Sequence, residues 1–375
     1  MSASAPATYA AITGWGKCLP PAVLTNHDLS AILDTSDEWI VSRTGIRERR
    51  ISHVSLSELA YVAAARALKC AGVDGERVEL IVFGSCSYDD QVPNMASGIQ
   101  ARIGAQDAAA YDINTACTSF LYGLSTATAL IRTGVVRNAL VIGAELISPF
   151  MDWSDRDVAV LFGDGAAAVV LEATQNEEGL IAEKLGCYAD SRETLRVQGM
   201  GGRYANRGVL YGVTRWQFAG QEIFKRAVQG MASACEEALG RAGIDAREVD
   251  LLVPHQANLR IIEAVARRAH LPMERVYVNV QRYGNMSAAT VPVALCEALE
   301  EGRVRPGGWL LMPGFGGGLT YCAHLVRWGS RTTPLGLSAA QLPPNERSAL
   351  AIIRECREHK MRPTAVEARE PFAGI

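Results

Sequence analysis

Short unbroken apolar runs alternate with longer helical patterns along this chain, and that alternation constrains the fold more than any other feature. Glu79–Gly84 (ELIVFG) follows a helical stretch near Leu56–Ala71. Ala139–Gly143 (ALVIG) follows a helical pattern from about Cys117 to Arg132, and Ala166–Leu171 (AAAVVL) comes next. Strands that read as continuous apolar runs are buried on both faces, so the pattern predicts an α/β protein with a sheet covered on both sides. The second half repeats the plan. A helix around Glu222–Ala242 precedes Asp250–Val253 (DLLV), and Trp309–Met312 (WLLM) resembles ALVIG. Gly316–Gly318 with the strand-like Tyr321–Trp328 resembles Gly163–Gly165 with AAAVVL. The expectation is two duplicated halves, 1–174 and 175–330, meeting at the polar loop Thr174–Gly179. Residues 331–375 form an appendage. Its linker-like start, Gly329–Glu346, is rich in Thr, Gly and Pro, and Arg347–Lys360 is expected as a short helix with Leu350, Ile353 and Cys356 on one side.

Composition narrows the function. Of 375 residues, 49% are hydrophobic and 21% charged, which fits a globular chain and argues against disorder. The formal net charge of −3 does not draw the chain toward nucleic acid or an anionic membrane. Apolar stretches such as Ala139–Ala144 fall far short of the ~20 residues a spanning helix needs. Met1–Thr8 shows no basic region followed by an apolar core, so no secretory signal is expected. Nine cysteines without CxxC spacing point to free thiols in a reducing cytoplasm, and six scattered histidines suggest no metal site.

Four segments carry chemistry. Cys117, in Asp112-Ile-Asn-Thr-Ala-Cys-Thr-Ser-Phe, stands where a strand ends and a helix begins. Helix N-terminal N–H groups favour a thiolate and can serve an oxyanion, although a lone cysteine is more often structural. His255, in Leu251-Leu-Val-Pro-His-Gln-Ala-Asn258, follows a strand end, where α/β ligand sites form. Asn285, in Tyr283-Gly-Asn-Met-Ser-Ala-Ala289, follows a glycine that permits an unusual backbone; a helix N-cap is the competing role. Pro313-Gly-Phe-Gly-Gly-Gly-Leu319 lets backbone amides approach a ligand, and it lacks the pattern of an NTPase phosphate loop.

Together, and with Thr35-Ser-Asp-Glu-Trp-Ile-Val-Ser-Arg-Thr-Gly-Ile-Arg47, these motifs resemble β-ketoacyl-acyl-carrier-protein synthase III of the thiolase superfamily. The likeness runs from about Ala10 to Trp328. It implies a thiolase fold, with duplicated βαβαβαββ halves in a five-layered αβαβα sandwich, and a homodimer. It implies a catalytic triad of Cys117, His255 and Asn285, with the backbone amides of Cys117 and Gly317 holding the oxyanion. The reaction implied is condensation of an acyl-CoA primer with malonyl-acyl carrier protein, without a metal or other cofactor. Trp39, Arg43 and Arg156 match CoA-binding positions, and Trp39 also follows a plausible capping box from Thr35 to Glu38. Phe162 borders the acyl pocket, and Lys225, Arg260, Arg267 and Arg268 match a patch for the acidic carrier protein.

Two departures bear on substrate. Val92 stands where the resemblance places a phenylalanine that reaches across the dimer into the partner's acyl pocket, which leaves room for a medium-length primer. Gln221 replaces a common asparagine. The appendage is also foreign to typical members. The same triad serves condensing enzymes of secondary metabolism, which use two acyl-CoAs or an aromatic primer. A scaffold partner without catalysis is the alternative of another class.

Overall fold

The computed structural model describes residues 8–205 and 214–361, with the side chains of 359–361 left aside. The expected absence of a signal in Met1–Thr8 thus falls almost wholly outside the described residues, as does the end of the appendage.

The N-terminal half opens with β1 (Tyr9–Cys18), the hairpin β2 (Ala22–Thr25) and β3 (Glu48–Ile51), and, within that hairpin, α1 (Asn26–Ser30) and α2 (Asp37–Thr44). It continues with α3 (Leu56–Ala71), β4 (Leu80–Gly84), α4 (Met95–Ile103), β5 (Ala109–Ile113), α5 (Ser119–Arg132), β6 (Asn138–Glu145), α6 (Arg156–Ala159) and β7 (Gly165–Thr174). The second half runs β8 (Gly179–Cys187), β9 (Leu195–Gln198), β10 (Arg215–Phe218), α7 (Gly220–Ala242), β11 (Val249–Leu252), α8 (Leu259–Arg268), α9 (Val280–Tyr283), α10 (Thr290–Glu300), β12 (Trp309–Gly316) and β13 (Thr320–Arg327). α11 (Ala349–Met361) closes the described chain.

Nine of the described strands hydrogen-bond in the order β11-β12-β13-β8-β1-β7-β6-β4-β5. The two halves meet at one rung, where Ala10 pairs with Gly179 in parallel. On each side the arrangement is the same. β1, β4, β6 and β7 correspond to β8, β11, β12 and β13, and the place of β5 is taken by a lone parallel bridge from Leu252 to Val276. This is the duplication that the repeated pattern suggests, in the arrangement that the resemblance implies.

The strands read as continuous apolar runs because each feeds two cores. Leu80 and Val82 of β4 join a middle core with α5 and α10, whereas Ile81 and Phe83 join an outer core with α3 and α4. In the other half, Leu251 faces the middle core and Leu252 faces α7 and α8. The layers are therefore α3/α4, sheet, α5/α10, sheet, α7/α8. Among the described residues, no helix is long and apolar enough to cross a membrane.

Candidate active site

β5 ends in a tight elbow before α5. Ala116 adopts φ 52°, the left-handed region, and a 3-10 turn, Ala116–Thr118, carries Cys117 before α5 begins. The helix expected to start at Cys117 thus starts two residues later. The elbow is pinned locally: Ser119 Oγ accepts from Thr115 N at 2.9 Å and donates to Ala116 O at 2.7 Å. Gly316, at the end of β12, lies against it so closely that a Cβ there would sit 2.7 Å from Cys117 N. A side chain at 316 would push the glycine loop off the nucleophile.

The backbone amides of Cys117 and Gly317 face the Cys117 sulfur, as does the Ser287 hydroxyl, and all three act to lower its pKa. Burial outweighs them, with a smaller upward push from Glu145, and the thiol is pushed up to about 11. The amides favour the thiolate, but desolvation of the sulfur exceeds what they return. Alkylation of the Cys117 peptide by iodoacetamide, read by mass spectrometry, should therefore climb about tenfold per pH unit from pH 7 toward pH 10. A plateau below pH 8 would instead reveal a resting thiolate–imidazolium pair.

His255 follows β11 and is buried. Its own amide donates to Pro313 O at 2.9 Å, which fixes it beside the glycine loop. Nδ1 lies 2.6 Å from Thr290 Oγ1, and that hydroxyl reaches Ser287 O at 3.0 Å. Nε2 has no hydrogen-bond partner among the described residues and is left for the cavity. Burial lowers the pKa of His255 to about 4, so the ring rests neutral at physiological pH.

Asn285 is held by backbone at both ends, its amide donating to Leu161 O at 2.8 Å and its carbonyl accepting from Gly163 N at 3.1 Å. Its Oδ1 accepts from Ser287 N at 2.8 Å, so the side-chain amide presents Nδ2 to the cavity it lines. Gly284 makes this possible. It adopts φ 61°, and a Cβ there would approach Leu161 O to 2.6 Å.

Sequence reasoning missed the group that ties these loops together. Glu145, at the end of β6, is fully buried and has no cation partner among the described residues. It accepts from Ser87 Oγ at 2.5 Å, Ser287 Oγ at 2.9 Å, Ser85 Oγ at 3.1 Å and Cys86 N at 3.2 Å. One carboxylate from the first half thereby fixes the loop that carries Asn285 from the second. Its only sequence signal is a charge ending an apolar run. Thr290, which sets the His255 ring, gave no signal.

Cys117, His255, Asn285 and Gly317 line one cavity of about 960 Å³, with Trp39 and Arg43 also on its lining. Arg43 and Arg156 flank the Trp39 ring, their guanidinium carbons 4.9 and 4.8 Å from its centroid. Arg156 is exposed and donates to Asp34 O at 2.9 Å. The cap of α2 is Ser36, which accepts from Trp39 N at 3.2 Å, not Thr35 as the capping-box reading has it. Phe162 is buried on the cavity wall, 4.9 Å from Trp216. Val92 is 84% exposed and does not line the cavity of its own chain. Lys225, Arg260, Arg267 and Arg268 are all exposed. The three arginines surround a shallow depression of about 430 Å³ floored by Phe224, Val228 and Ala264, while Lys225 stands beside it on α7. Arg260 also borders the main cavity. No cluster of three or more metal-ligating side chains occurs among the described residues.

Two family descriptions match the chain: 3-oxoacyl-[acyl-carrier-protein (ACP)] synthase III over residues 111–189, and its C-terminal counterpart over 239–328. A relative from Vibrio cholerae named beta-ketoacyl-[acyl-carrier-protein] synthase III 2 is 53% identical over 351 residues, covering 94% of this chain and 97% of the relative. A beta-ketoacyl-[acyl-carrier-protein] synthase III from Roseiflexus sp. is 47% identical over 326 residues, 86% of this chain and 99% of the relative. The crystal structure of 3-oxoacyl-[acyl-carrier-protein] synthase III from Aquifex aeolicus superposes with a TM-score of 0.80 at 42% identity, covering 85% of this chain and all of that one. With Cys117, His255 and Asn285 gathered on one cavity of a duplicated thiolase fold, the chain belongs to the β-ketoacyl-acyl-carrier-protein synthase III family of the thiolase superfamily.

Proposed function

We propose that this chain is an acyltransferase that condenses an acyl-CoA primer with malonyl-acyl carrier protein, with loss of CO2, and so starts fatty acid synthesis. The observation that carries the reading is the meeting of a buried thiol, two backbone amides, a free His255 Nε2 and a free Asn285 Nδ2 on one cavity.

The chemistry follows from those groups. Cys117 Sγ gives its proton to His255 Nε2 and attacks the thioester carbonyl. The Cys117 and Gly317 amides hold the oxyanion, each such donor contributing about 3 kcal/mol. The carbon–sulfur bond to CoA breaks, CoA leaves with the proton from His255, and the acyl group stays on Cys117. Malonyl thioester then enters. Its carbon–carbon bond to the carboxylate breaks, CO2 departs, and the electron pair forms an enolate whose oxygen meets Nε2–H of His255 and Nδ2–H of Asn285. The Thr290 hydroxyl serves both stages: it accepts from Nδ1–H while donating to Ser287 O when Nε2 is the base, and, once the neutral ring has lost the Nδ1 proton to solvent and gained one on Nε2, it turns to donate to Nδ1. The enolate carbon attacks the acyl-enzyme carbonyl, the bond to Cys117 Sγ breaks, and the departing thiolate takes up a proton drawn from solvent to restore the thiol. No step needs a metal or redox cofactor.

The units are read as 1–174, holding the nucleophile, 175–330, holding the base and amide, and the appendage 331–375. Trp39, Arg43 and Arg156 are assigned to CoA. Lys225, Arg260, Arg267 and Arg268 are assigned to the carrier protein, whose acidity suits the arginine-rimmed depression. Arg260→Glu with Arg268→Glu should slow turnover of malonyl-acyl carrier protein about tenfold or more at low salt, an effect shrinking as salt screens the pair. Acylation by acyl-CoA should stay within twofold. An equal loss for both substrates places the docking face elsewhere.

A homodimer suits two features. Among the described residues, β5 is an edge of the sheet and its Tyr111 hydroxyl is buried without a hydrogen bond, and the 84% exposed Val92 stands two positions before Asn94, whose Nδ2 donates to Ala110 O of β5 at 3.0 Å. In a pair built on that edge, Val92 reaches the partner's acyl pocket with less bulk than a phenylalanine. The free thiols suit a reducing cytoplasm. Two or three added methylenes, at ~0.8 kcal/mol each, favour a longer primer by about ten- to seventyfold. A panel of C2 to C12 acyl-CoAs, read as acyl mass on Cys117 and as condensation rate, tests the whole reading. The expected optimum is C6–C10, moved toward acetyl by Val92→Phe. A higher kcat/KM for acetyl-CoA than for octanoyl-CoA defeats the primer assignment, and no acyl mass with any primer makes the chain a scaffold.

A further inference from the structure

The appendage does not hang free. From Trp328, whose indole donates to Arg331 O at 2.8 Å, the chain crosses the end of α3, where Leu335 N donates to Cys70 O at 2.9 Å. It follows the outer face of α3, where Arg66 reaches Ala340 O at 3.2 Å, and passes His53, whose Nε2 lies 2.9 Å from Pro343 O. α11 then docks on the β2–β3 hairpin and on the turn Ser148–Phe150. Ala349, Ile352 and Ile353 are its buried face. The expected face of Leu350, Ile353 and Cys356 is thus rotated, with Leu350 and Cys356 only half-buried. A 13-residue helix is marginal alone, so docking is what orders it.

The surface under α11 is the back of the cavity wall. Ile352 and Ile353 share a core cluster with Ile147 and Met151, which bracket the turn. The front of the same segment, Ile147 and Phe150, lines the cavity. Asp164 grips it by accepting from Ile147 N at 2.8 Å and Ser148 N at 2.9 Å. Phe150 O in turn accepts from the Trp216 indole at 3.0 Å, and from Thr214 Oγ1, and Trp216 packs on Phe162. One apolar wall of the cavity is therefore clamped between α11 outside and the β9–β10 hairpin inside. The likeness to the Vibrio cholerae relative enters the appendage. With 351 of 375 residues aligned, fewer remain than the 45 after position 330.

We propose that α11 is a positioning element for acyl-chain selectivity, a strap that holds the Ile147–Phe150 wall against a medium-length acyl chain. The inference rests on the condensing reading above. Without the strap, the wall loses its backing, and a long chain loses more contact than an acetyl group, which ends short of it.

The test uses the full chain, a variant ending at Arg347, Ile353→Ala, and Glu358→Ala on the exposed face of α11 as a control. Rates of acylation of Cys117 by octanoyl-CoA and acetyl-CoA are measured by mass spectrometry, with circular dichroism as the check on folding. Ile353→Ala removes three carbons from a peripheral helix and keeps the chain folded even if the truncation does not. The expected result is a fall of about tenfold in the octanoyl-to-acetyl ratio for the folded truncation and a smaller fall for Ile353→Ala. The acetyl rate stays within threefold, and Glu358→Ala is unchanged. A ratio that does not move, or two rates that fall in proportion, overturns the strap and leaves the condensing reading intact. A wild-type chain acylated by neither thioester overturns that reading and the strap with it.

Discussion

Cys117→Ala should leave no acyl mass on the chain after incubation with acyl-CoA and lower condensation by about 10⁴-fold or more, because the covalent intermediate has no other carrier. Cys86 also lines the cavity, yet it does not replace Cys117. Its thiol is pushed far up by burial and by the adjacent Glu145, and it sits off the elbow that presents two amides to a single sulfur. Decarboxylation of malonyl-acyl carrier protein should persist, since the donors for the enolate, His255 Nε2 and Asn285 Nδ2, stand on separate loops that the substitution does not touch. The pair of measurements is acyl mass by mass spectrometry and CO2 release from labelled malonyl thioester. Loss of both in a folded variant contradicts the division of labour.

His255→Ala should give the opposite split. Condensation should fall about 10³-fold, the upper range for one donor to a developing oxyanion. An acyl-enzyme should still accumulate, more slowly, because the oxyanion amides remain and solvent can take the thiol proton. The slowing should ease as pH rises toward the thiol pKa of about 11, where the sulfur no longer needs a base. That pH rescue distinguishes a lost base from a collapsed site, which no pH restores. Equal loss of acylation in His255→Ala and Cys117→Ala would remove the basis for assigning His255 mainly to the second half-reaction.

The strands and the segments that carry Cys117, His255 and Asn285 were legible in the sequence because each is a local pattern, and only the family resemblance joined the three residues. Leu80–Gly84 and, within β6, Ala139–Ala144 are apolar throughout because both faces are buried. Gly284 before Asn285 announces its backbone. What was not legible acts across long separations. Glu145 meets Ser287 over 142 positions, and no spacing rule connects them. Phe150 and Trp216 join only because the β9–β10 hairpin folds over the turn at 148–150. The net acidity of Cys117 was not legible because a sequence displays the helix that follows a thiol but not the water excluded from it. The docking face of α11 was turned by one position because amphipathic spacing fixes a stripe on a short helix only coarsely, while the receiving surface fixes it finely.

The two helices of the middle layer, α5 and α10, begin within a few residues of Cys117 and Asn285. Their peptide dipoles run away from one point in the molecule, each leaving about half a positive charge there. Glu145 rests at this point without a lysine or arginine, accepting from the Ala288 amide at 3.4 Å as well as from hydroxyls. The negative charge that appears on substrate oxygen is met in the same way, by dipoles built into the architecture. Ions in solution screen mobile surface charge but do not reach these buried dipoles. Ionic strength should therefore separate the two electrostatic tasks of the molecule: it should weaken the encounter proposed at Arg260 and Arg268 and leave the bond-making centre unaltered.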